Sequence, residues 1–319
     1  MKSLKDINWN QLYAFYEVAK AQSLKQAANN LNVASSTLSE QLKRLEDSFQ
    51  TQLFLRSSKG LTLTVEGTKL FERATAIFDE GNKLLEHYSN DTIGGYAVSI
   101  GIEETISSSL ATEFASQYWD LYTQYGSVNT LKQVSHESLV DNLMLKNIDW
   151  GISVRKPKRK SIDYAEIGSF EIVFCCSSEL YDKFKDKKDI LINIPFVESS
   201  WDKSLNKLIY KYLRSQSVVP KEKICSDHIG FVENLCRRGR CVMFLPFNPL
   251  ESYEGLKTFH LDKPIKVSLY AIWKKSEESL ISIKLLKQLI ESTISHVPFR
   301  YEDVDFQIEV SEVSDDKLR

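Results

Sequence analysis

Cysteine is scarce: five residues in 319 (Cys175, Cys176, Cys225, Cys236 and Cys241), with no C-x-x-C spacing. In a reducing compartment such residues act as small buried hydrophobes rather than as bridges, although the closeness of Cys225, Cys236 and Cys241 leaves a redox switch open. The five histidines are scattered, so neither a metal nor another cofactor is expected. No stretch of about 18 uncharged apolar residues occurs, and residues 2 to 10 hold Lys2, Lys5 and Asp6 with no apolar core behind them. That excludes a membrane span and a secretory leader, and implies a cytoplasmic protein.

Catalytic signatures are missing too. No G-x-G-x-x-G, G-x-x-x-x-G-K-S/T, G-x-S-x-G or H-E-x-x-H is present, so an enzyme is not expected. The net charge of −2 gives no sign of a polyanionic partner by itself, but its distribution does. Residues 1 to 63 carry eight basic groups against five acidic ones, a local excess of +3. Residues 299 to 319 carry seven carboxylates and three bases, an acidic tail of −4 with little apolar periodicity.

With 42% hydrophobic and 26% charged residues, the chain can form two or three cores. Leu12, Phe15 and Ala19 stand at helical spacing, which predicts a helix over 9 to 21 with Trp9, Tyr13 and Tyr16 adding aromatic packing. Ser23 caps a second helix in which Leu24, Ala27, Ala28 and Leu31 share a face, and the two alanines permit a close crossing. After the turn Asn32-Val33-Ala34, a third helix runs from about Ser36 to Phe49, buried through Leu38, Leu42, Leu45 and Phe49 and capped by Ser35 or Ser36. Two helices joined by three residues, the second with a separate polar face, form a helix-turn-helix or an ordinary hairpin. Two short apolar strands around a basic glycine-containing turn follow in Leu53 to Leu63, and this wing favours the DNA-binding reading.

From Thr64 onward Leu70, Ala74, Ile77, Gly81, Leu84 and Tyr88 make an apolar seam, flanked by Phe71, Phe78 and Leu85, too wide for a solitary helix. A second copy of the chain would satisfy it and set two recognition helices on one face. Asp91 to Gly95 breaks the helix. Beyond it, strands over 97 to 101, 130 to 134, 150 to 154, 172 to 176, 194 to 197, 242 to 245 and 265 to 273 alternate with helices over 107 to 118, 137 to 145, 205 to 214, 229 to 237 and 280 to 294. Such alternation implies α/β subdomains with parallel sheets and ligands at the carboxyl ends of strands.

The residues Leu24-Lys25-Gln26-Ala27-Ala28 through Leu31-Asn32-Val33, Ser39-x-Gln41-Leu42-x-x-Leu45-Glu46, Leu53-Phe54-x-Arg56, Gly60-Leu61-x-Leu63-Thr64 and Gly67 resemble the DNA-binding segment of LysR-type transcriptional regulators. The remainder is similar to their periplasmic-binding-protein-like effector domain through Ile100-Gly101-Ile102, Asp149-Trp150-Gly151-Ile152 and Phe244-Leu245-Pro246. Asn8 to Phe15 and Ile77-Phe78-x-x-Gly81 look like the subgroup of the sodium/proton antiporter gene activator. Two departures stand out: Ala34-Ser35-Ser36 replaces the family's Ser-Gln-Pro, and Gly239-Arg240-Cys241 replaces its glycine-rich turn.

The resemblance implies a winged helix-turn-helix over 1 to 64, a linker and dimerisation helix over 65 to 90, and an effector-binding domain over 91 to 298. That domain splits into subdomain I (96 to 160 and 266 to 298) and subdomain II (161 to 265), ahead of the tail at 299 to 319. Ser35, Ser36, Thr37, Ser39, Glu40, Lys43 and Arg44 are expected to face a major groove, with Arg56 and Lys59 of the wing on the backbone. Glu40 is tolerable there if it accepts from cytosine or neutralises a neighbouring base. Glu104, Thr105, Ser135, His136, Glu198, Ser199 and His228 are expected near the effector cleft; Thr105 and Ser135 serve equally as helix caps, and the histidines as pH sensors or as ordinary surface or core groups. Arg155 to Lys160 reads as a solvated loop, with docking of an anionic effector or the acidic tail as the alternative.

The implied partners are double-stranded DNA, a small-molecule or ion effector, a second copy in a homodimer or homotetramer, and RNA polymerase, with no membrane. The implied action is that of an activator. A redox-sensing regulator, or a ligand-binding protein without DNA function, stands as the alternative.

Overall fold

The computed structural model describes residues 3–57, 60–89, 93–103, 109–199, 203–226, 228–247 and 255–295. Two compact units result, Met1–Ala97 and Val98–Arg319.

In the first unit, α1 (Trp9–Ala21) opens on Asn8, whose side chain accepts from the Gln11 N–H at 3.2 Å. Helix α2 (Leu24–Asn30) opens on Ser23 in the same way. Ala27 and Ala28 are buried, so the absence of bulk lets α2 lie close against its neighbours. Helix α3 (Ser35–Phe49) starts a residue earlier than its sequence suggested, and neither Ser35 nor Ser36 caps it: Ala34 holds the cap position with no side-chain bond. The turn explains this. Asn32 takes a positive φ of 53° and Val33 N–H returns to Ala28 O at 3.0 Å, so the chain is already helical by Ser35.

Strands β1 (Phe54–Ser57) and β2 (Gly60–Leu63) pair antiparallel from Phe54↔Leu63 to Ser57↔Gly60, forming the wing. Thr64 then caps the long α4 (Val65–Tyr88) through the Gly67 N–H. Half of the apolar seam on α4 is consumed inside this unit. Tyr13 and Tyr16 of α1 meet Phe78 at ring separations of 5.0 and 5.1 Å, and Tyr16 stacks on Phe71 at 5.9 Å. Ile77, Leu84, Leu85 and Tyr88 stay exposed. Residues 93–97 fold back along α4: the nearly buried Glu86 accepts from Ile93 N–H (3.1 Å), Gly94 N–H (2.5 Å) and Tyr96 O–H (2.9 Å), and Asp79 accepts from Ala97 N–H.

The second unit runs β3 (Val98–Glu103), α5 (Ser109–Tyr122), β4 (Val128–Gln133), α6 (His136–Met144), β5 (Trp150–Ser153), β6 (Ile162–Ser177), α7 (Ser178–Lys183), α8 (Lys187–Asn193), β7 (Phe196–Ser199), α9 (Lys203–Ser215), β8 (Lys223–Ser226), α10 (Ile229–Arg237), β9 (Met243–Pro246), β10 (Leu256–Phe259), β11 (Ile265–Lys274) and α11 (Ile281–Ser295). One sheet has the order β10-β6-β11-β5-β3-β4 with β9 on β6, and β7 pairs β8 in a second. The sheets are not simply parallel. Strand β3 is parallel to β4 and β5, and β7 to β8, whereas β6 and β11 run antiparallel to their neighbours. Strand β6 also reaches back ten residues beyond the expected start at Ile172, because its first half is an alternating, half-exposed stretch paired to β11. Elements α7, α8, β8 and β10 had no strong periodicity and were not anticipated.

Two glycines position α6. Gly101 and Gly151 face each other across β3 and β5, and a Cβ on either would lie 2.5 or 2.6 Å from Leu139 Cδ1. Bare backbone there lets α6 settle onto the sheet and sets its first turn beside the ends of β3 and β5.

Candidate nucleic-acid interface and effector site

Helix α3 divides cleanly. Leu38, Leu42 and Leu45 are buried, while Ser36, Thr37, Glu40, Lys43 and Arg44 are exposed and Ser35 and Ser39 half-buried. Glu40 Oε1 sits 2.5 Å from Arg44 Nη2, one turn away on the open surface, so the carboxylate already has a cationic partner. In the wing, Arg56 lies on β1 opposite Leu61; Lys59 and the side chain of Arg56 lie outside the described residues. Glu46, quoted above only as part of the family motif, holds the wing to α3: its Oε1 accepts from Leu53 N–H at 2.7 Å and Phe54 N–H at 3.2 Å. A carboxylate seven and eight residues from its partners has no local signature.

The candidate effector residues fall into two groups. Ser135 caps α6, accepting from Ser138 N–H at 3.1 Å, so its capping alternative is realised. Beside it His136 Nδ1 is 2.8 Å from Ser153 Oγ. Ser153 donates to Glu103 Oε2 at 2.7 Å, and Glu103 also accepts from Val154 N–H and from Arg155 Nη2 at 3.1 Å. Arg155 Nη1 reaches Glu137 at 3.4 Å. Burial holds the His136 imidazole below its ordinary range; Glu103 opposes that, and Arg155 and Lys158 add to it. Glu104 and Thr105 lie outside the described residues. Glu103, Ser153 and Arg155 were missed as site residues. Alternation from Ile100 puts Glu103 on the opposite face of β3, and that face is buried as well because α6 covers it.

The second group is on the smaller sheet. Glu198 of β7 pairs with Lys223 of β8 at 2.8 Å, and the Lys223 ammonium stands 4.2 Å over the Tyr210 ring. Burial pushes the Glu198 carboxyl up, but the Lys223 ammonium outweighs it and holds the group below the usual range. Ser199 is in register with Ser226 of β8, whose Oγ accepts from His228 N–H; the side chain of Ser199 is outside the described residues. His228 caps α10, its Nδ1 accepting from Phe231 N–H at 3.2 Å.

Two other candidates look different in three dimensions. Cys236 and Cys241 are buried and Cys225 is exposed, and hydrogen bonding with Cys175 pushes the Cys236 thiol up to about 12. Thiols held protonated are poor redox sensors. The basic run is partly spoken for within its own unit: Arg155 bridges Glu103 and Glu137, Arg159 pairs with Asp141 at 3.2 Å, and Lys156 stands 5.4 Å from both the Tyr164 and Tyr270 rings. The acidic tail lies outside the described residues. Among the described residues no cluster suits a metal ion and no helix is long and apolar enough to cross a membrane.

Comparison with known proteins places these features. A family model described as bacterial regulatory helix-turn-helix protein, lysR family, matches residues 9–68, and one described as LysR substrate binding domain matches residues 96–294. The transcriptional regulator CzcR of Bacillus cereus is 22% identical over 265 residues, covering 83% of this chain and 86% of CzcR. The regulator HdfR of Yersinia enterocolitica is 24% identical over 293 residues, covering 89% and 96%. Among solved structures, a hydrogen-peroxide-bound OxyR mutant of Corynebacterium glutamicum shares the fold with a TM-score of 0.62 at 17% identity, covering 91% and 93%. Full-length CbnR in complex with its target DNA does so at 0.54 and 17%, covering 90% and 100%. The substrate-domain match alone spans more than half of the sequence, and the chain belongs to the LysR family of DNA-binding transcriptional regulators rather than to any enzyme family.

Proposed function

We propose that this regulator inserts α3 into the major groove, with Ser36, Thr37, Ser39, Glu40, Lys43 and Arg44 toward bases and phosphates, Ser35 at the entry, and Arg56 and Lys59 on the backbone beside it. The observation that carries this is the exposed polar face of α3 opposite a fully buried apolar one. The Glu40–Arg44 pair orients the guanidinium and offsets the carboxylate's repulsion from phosphate. Two such heads on one DNA face require self-association in a homodimer or homotetramer, and the exposed Ile77, Leu84, Leu85 and Tyr88 of α4 offer the apolar surface for it.

The second unit takes a small-molecule or ion effector in the cytoplasm. Ser135 and His136 contribute from one sheet end, Glu198, Ser199 and His228 from the other, and Glu104 and Thr105 from the segment after β3. Ligand preference for one assembly shifts head spacing and DNA bend, and activation proceeds through RNA polymerase. The test is an anisotropy titration against DNA from upstream of the protein's own gene, with unrelated DNA as competitor. Lys43→Ala should lower the log-log salt slope by about 0.9 if it contacts one phosphate. Equal affinity for target and competitor would overturn the reading.

A further inference from the structure

The hydrogen bonds around Ser153 determine the state of His136. A serine hydroxyl has one hydrogen to give and two lone pairs. The Glu103 carboxylate, wholly buried and ion-paired with Arg155, only accepts, so the Ser153 hydrogen points to it at 2.7 Å. Arg155 N–H donates to Ser153 Oγ at 3.1 Å. His136 Nδ1, 2.8 Å from the same oxygen, must therefore donate as well. The neutral imidazole is fixed as the Nδ1–H tautomer, and Nε2 is the nitrogen that takes up a proton.

The charges around it come from three directions: Glu103 at the end of β3, Arg155 and Lys158 after β5, and Glu137 on α6 itself. Among the described residues, with His136 neutral, two carboxylates face two cations. A proton on Nε2 leaves the bond to Ser153 intact but sets a third cation beside the guanidinium where solvent screens it poorly. Arg155 holds α6 through its 3.4 Å contact to the exposed Glu137, longer than its 3.1 Å contact to the buried Glu103, and that contact yields first.

We propose that His136, Ser153, Glu103 and Arg155 form a proton-operated latch joining β3, β5 and α6, closed while His136 is neutral and loosened when Nε2 is protonated. This rests on the effector-site reading only for its consequence, that acid changes DNA binding through the same end of the domain. The low position of the His136 equilibrium agrees in sign: the closed arrangement disfavours the charged ring, so acidification below the free histidine value of 6.5 favours the open one.

The test uses the full chain labelled with nitrogen-15 in its five histidines, with His136 assigned from the signal lost in His136→Gln. Two-bond proton–nitrogen spectra should show the Nδ1–H tautomer at about pH 8 and a midpoint below that of free histidine. Arg155→Gln, which removes a cation, should raise the midpoint; Arg155→Lys, which keeps the charge, should leave it near wild type. An Nε2–H tautomer, or a midpoint unmoved by Arg155→Gln in protein that keeps its native circular dichroism, would overturn the latch. In DNA titrations the wild type should change affinity about fivefold between pH 8 and pH 6 beyond any change in His136→Gln. Absence of sequence-specific binding with the spectra as expected would sink the functional reading and leave the latch standing; the reverse tautomer would sink the latch whatever the DNA result.

Discussion

Replacing Glu86 with alanine removes an acceptor from the Ile93 and Gly94 amides and the Tyr96 hydroxyl at once. The carboxylate is only 4% exposed, so water does not simply take its place. An orphaned buried donor costs about 1 to 3 kcal/mol, and two amides with a hydroxyl together should cost the 93–97 strap about 4 kcal/mol after partial hydration. Glu86→Gln keeps one oxygen for the amides and should cost about 1 to 2 kcal/mol. Global unfolding of a two-unit chain is not a two-state reporter, so native-state hydrogen exchange at Ile93 and Gly94 is the suitable assay. At about 1.4 kcal/mol per tenfold, the alanine variant should exchange these amides roughly a thousandfold faster, the glutamine variant about tenfold. Exchange within about threefold of wild type in Glu86→Ala would refute the claim that this carboxylate holds the strap.

Gly67→Ala should destabilise the junction of wing and linker helix by about 3 kcal/mol or more. The new Cβ would fall 2.1 Å from the Leu53 carbonyl oxygen, backbone that cannot swing away, and thermal melts of the full chain followed by DNA binding would register the loss. Gly151→Ala meets the end of the Leu139 side chain at 2.6 Å as well as the Gly101 carbonyl oxygen at 3.0 Å, so pairing it with Leu139→Ala should recover at least about 1 kcal/mol relative to the sum of the single changes in a double-mutant cycle read by native-state hydrogen exchange in β3 and β5. Burial first, then the charges of Asp79 and Glu17, pushes Tyr16 up to about 12. Because the folded value lies above the unfolded value of 10, its contribution is intact below 10 and is lost as pH rises toward 12. Tyr16→Phe should flatten that alkaline decline in melting temperature, and an unchanged slope would remove Tyr16 as its source.

The helical heads were readable because their signals are local. A 3.6-residue period, a serine one position before Leu24 and two adjacent alanines each act within a turn or two, and α1 and the Ser23 cap sit where the pattern put them. Strand β6 was legible only near its end: Ile172 to Cys176 is a continuous apolar run, whereas Asp163, Glu166 and Glu171 interrupt the stretch before it. The site residues divide the same way. Ser135 announced itself as the start of a helix, but Glu103 and Ser153 stand 50 residues apart and meet only because β3 and β5 are parallel neighbours. Covering both faces of that sheet removed the alternation that would have marked Glu103 as inward.

The aromatic cluster of Tyr13, Tyr16, Phe71 and Phe78 bears on how such regulators exchange parts. A gene fusion that joins this wing to another sensor near residue 64 would discard two of the four rings and leave Tyr16, now 4% exposed, facing water. A splice beyond Tyr88 carries the cluster across whole. The smallest portion of the gene that can be grafted as a self-sufficient reader of DNA is therefore the wing together with its long helix, and chimaeras cut inside that helix should recover function only when the donor brings matching aromatics.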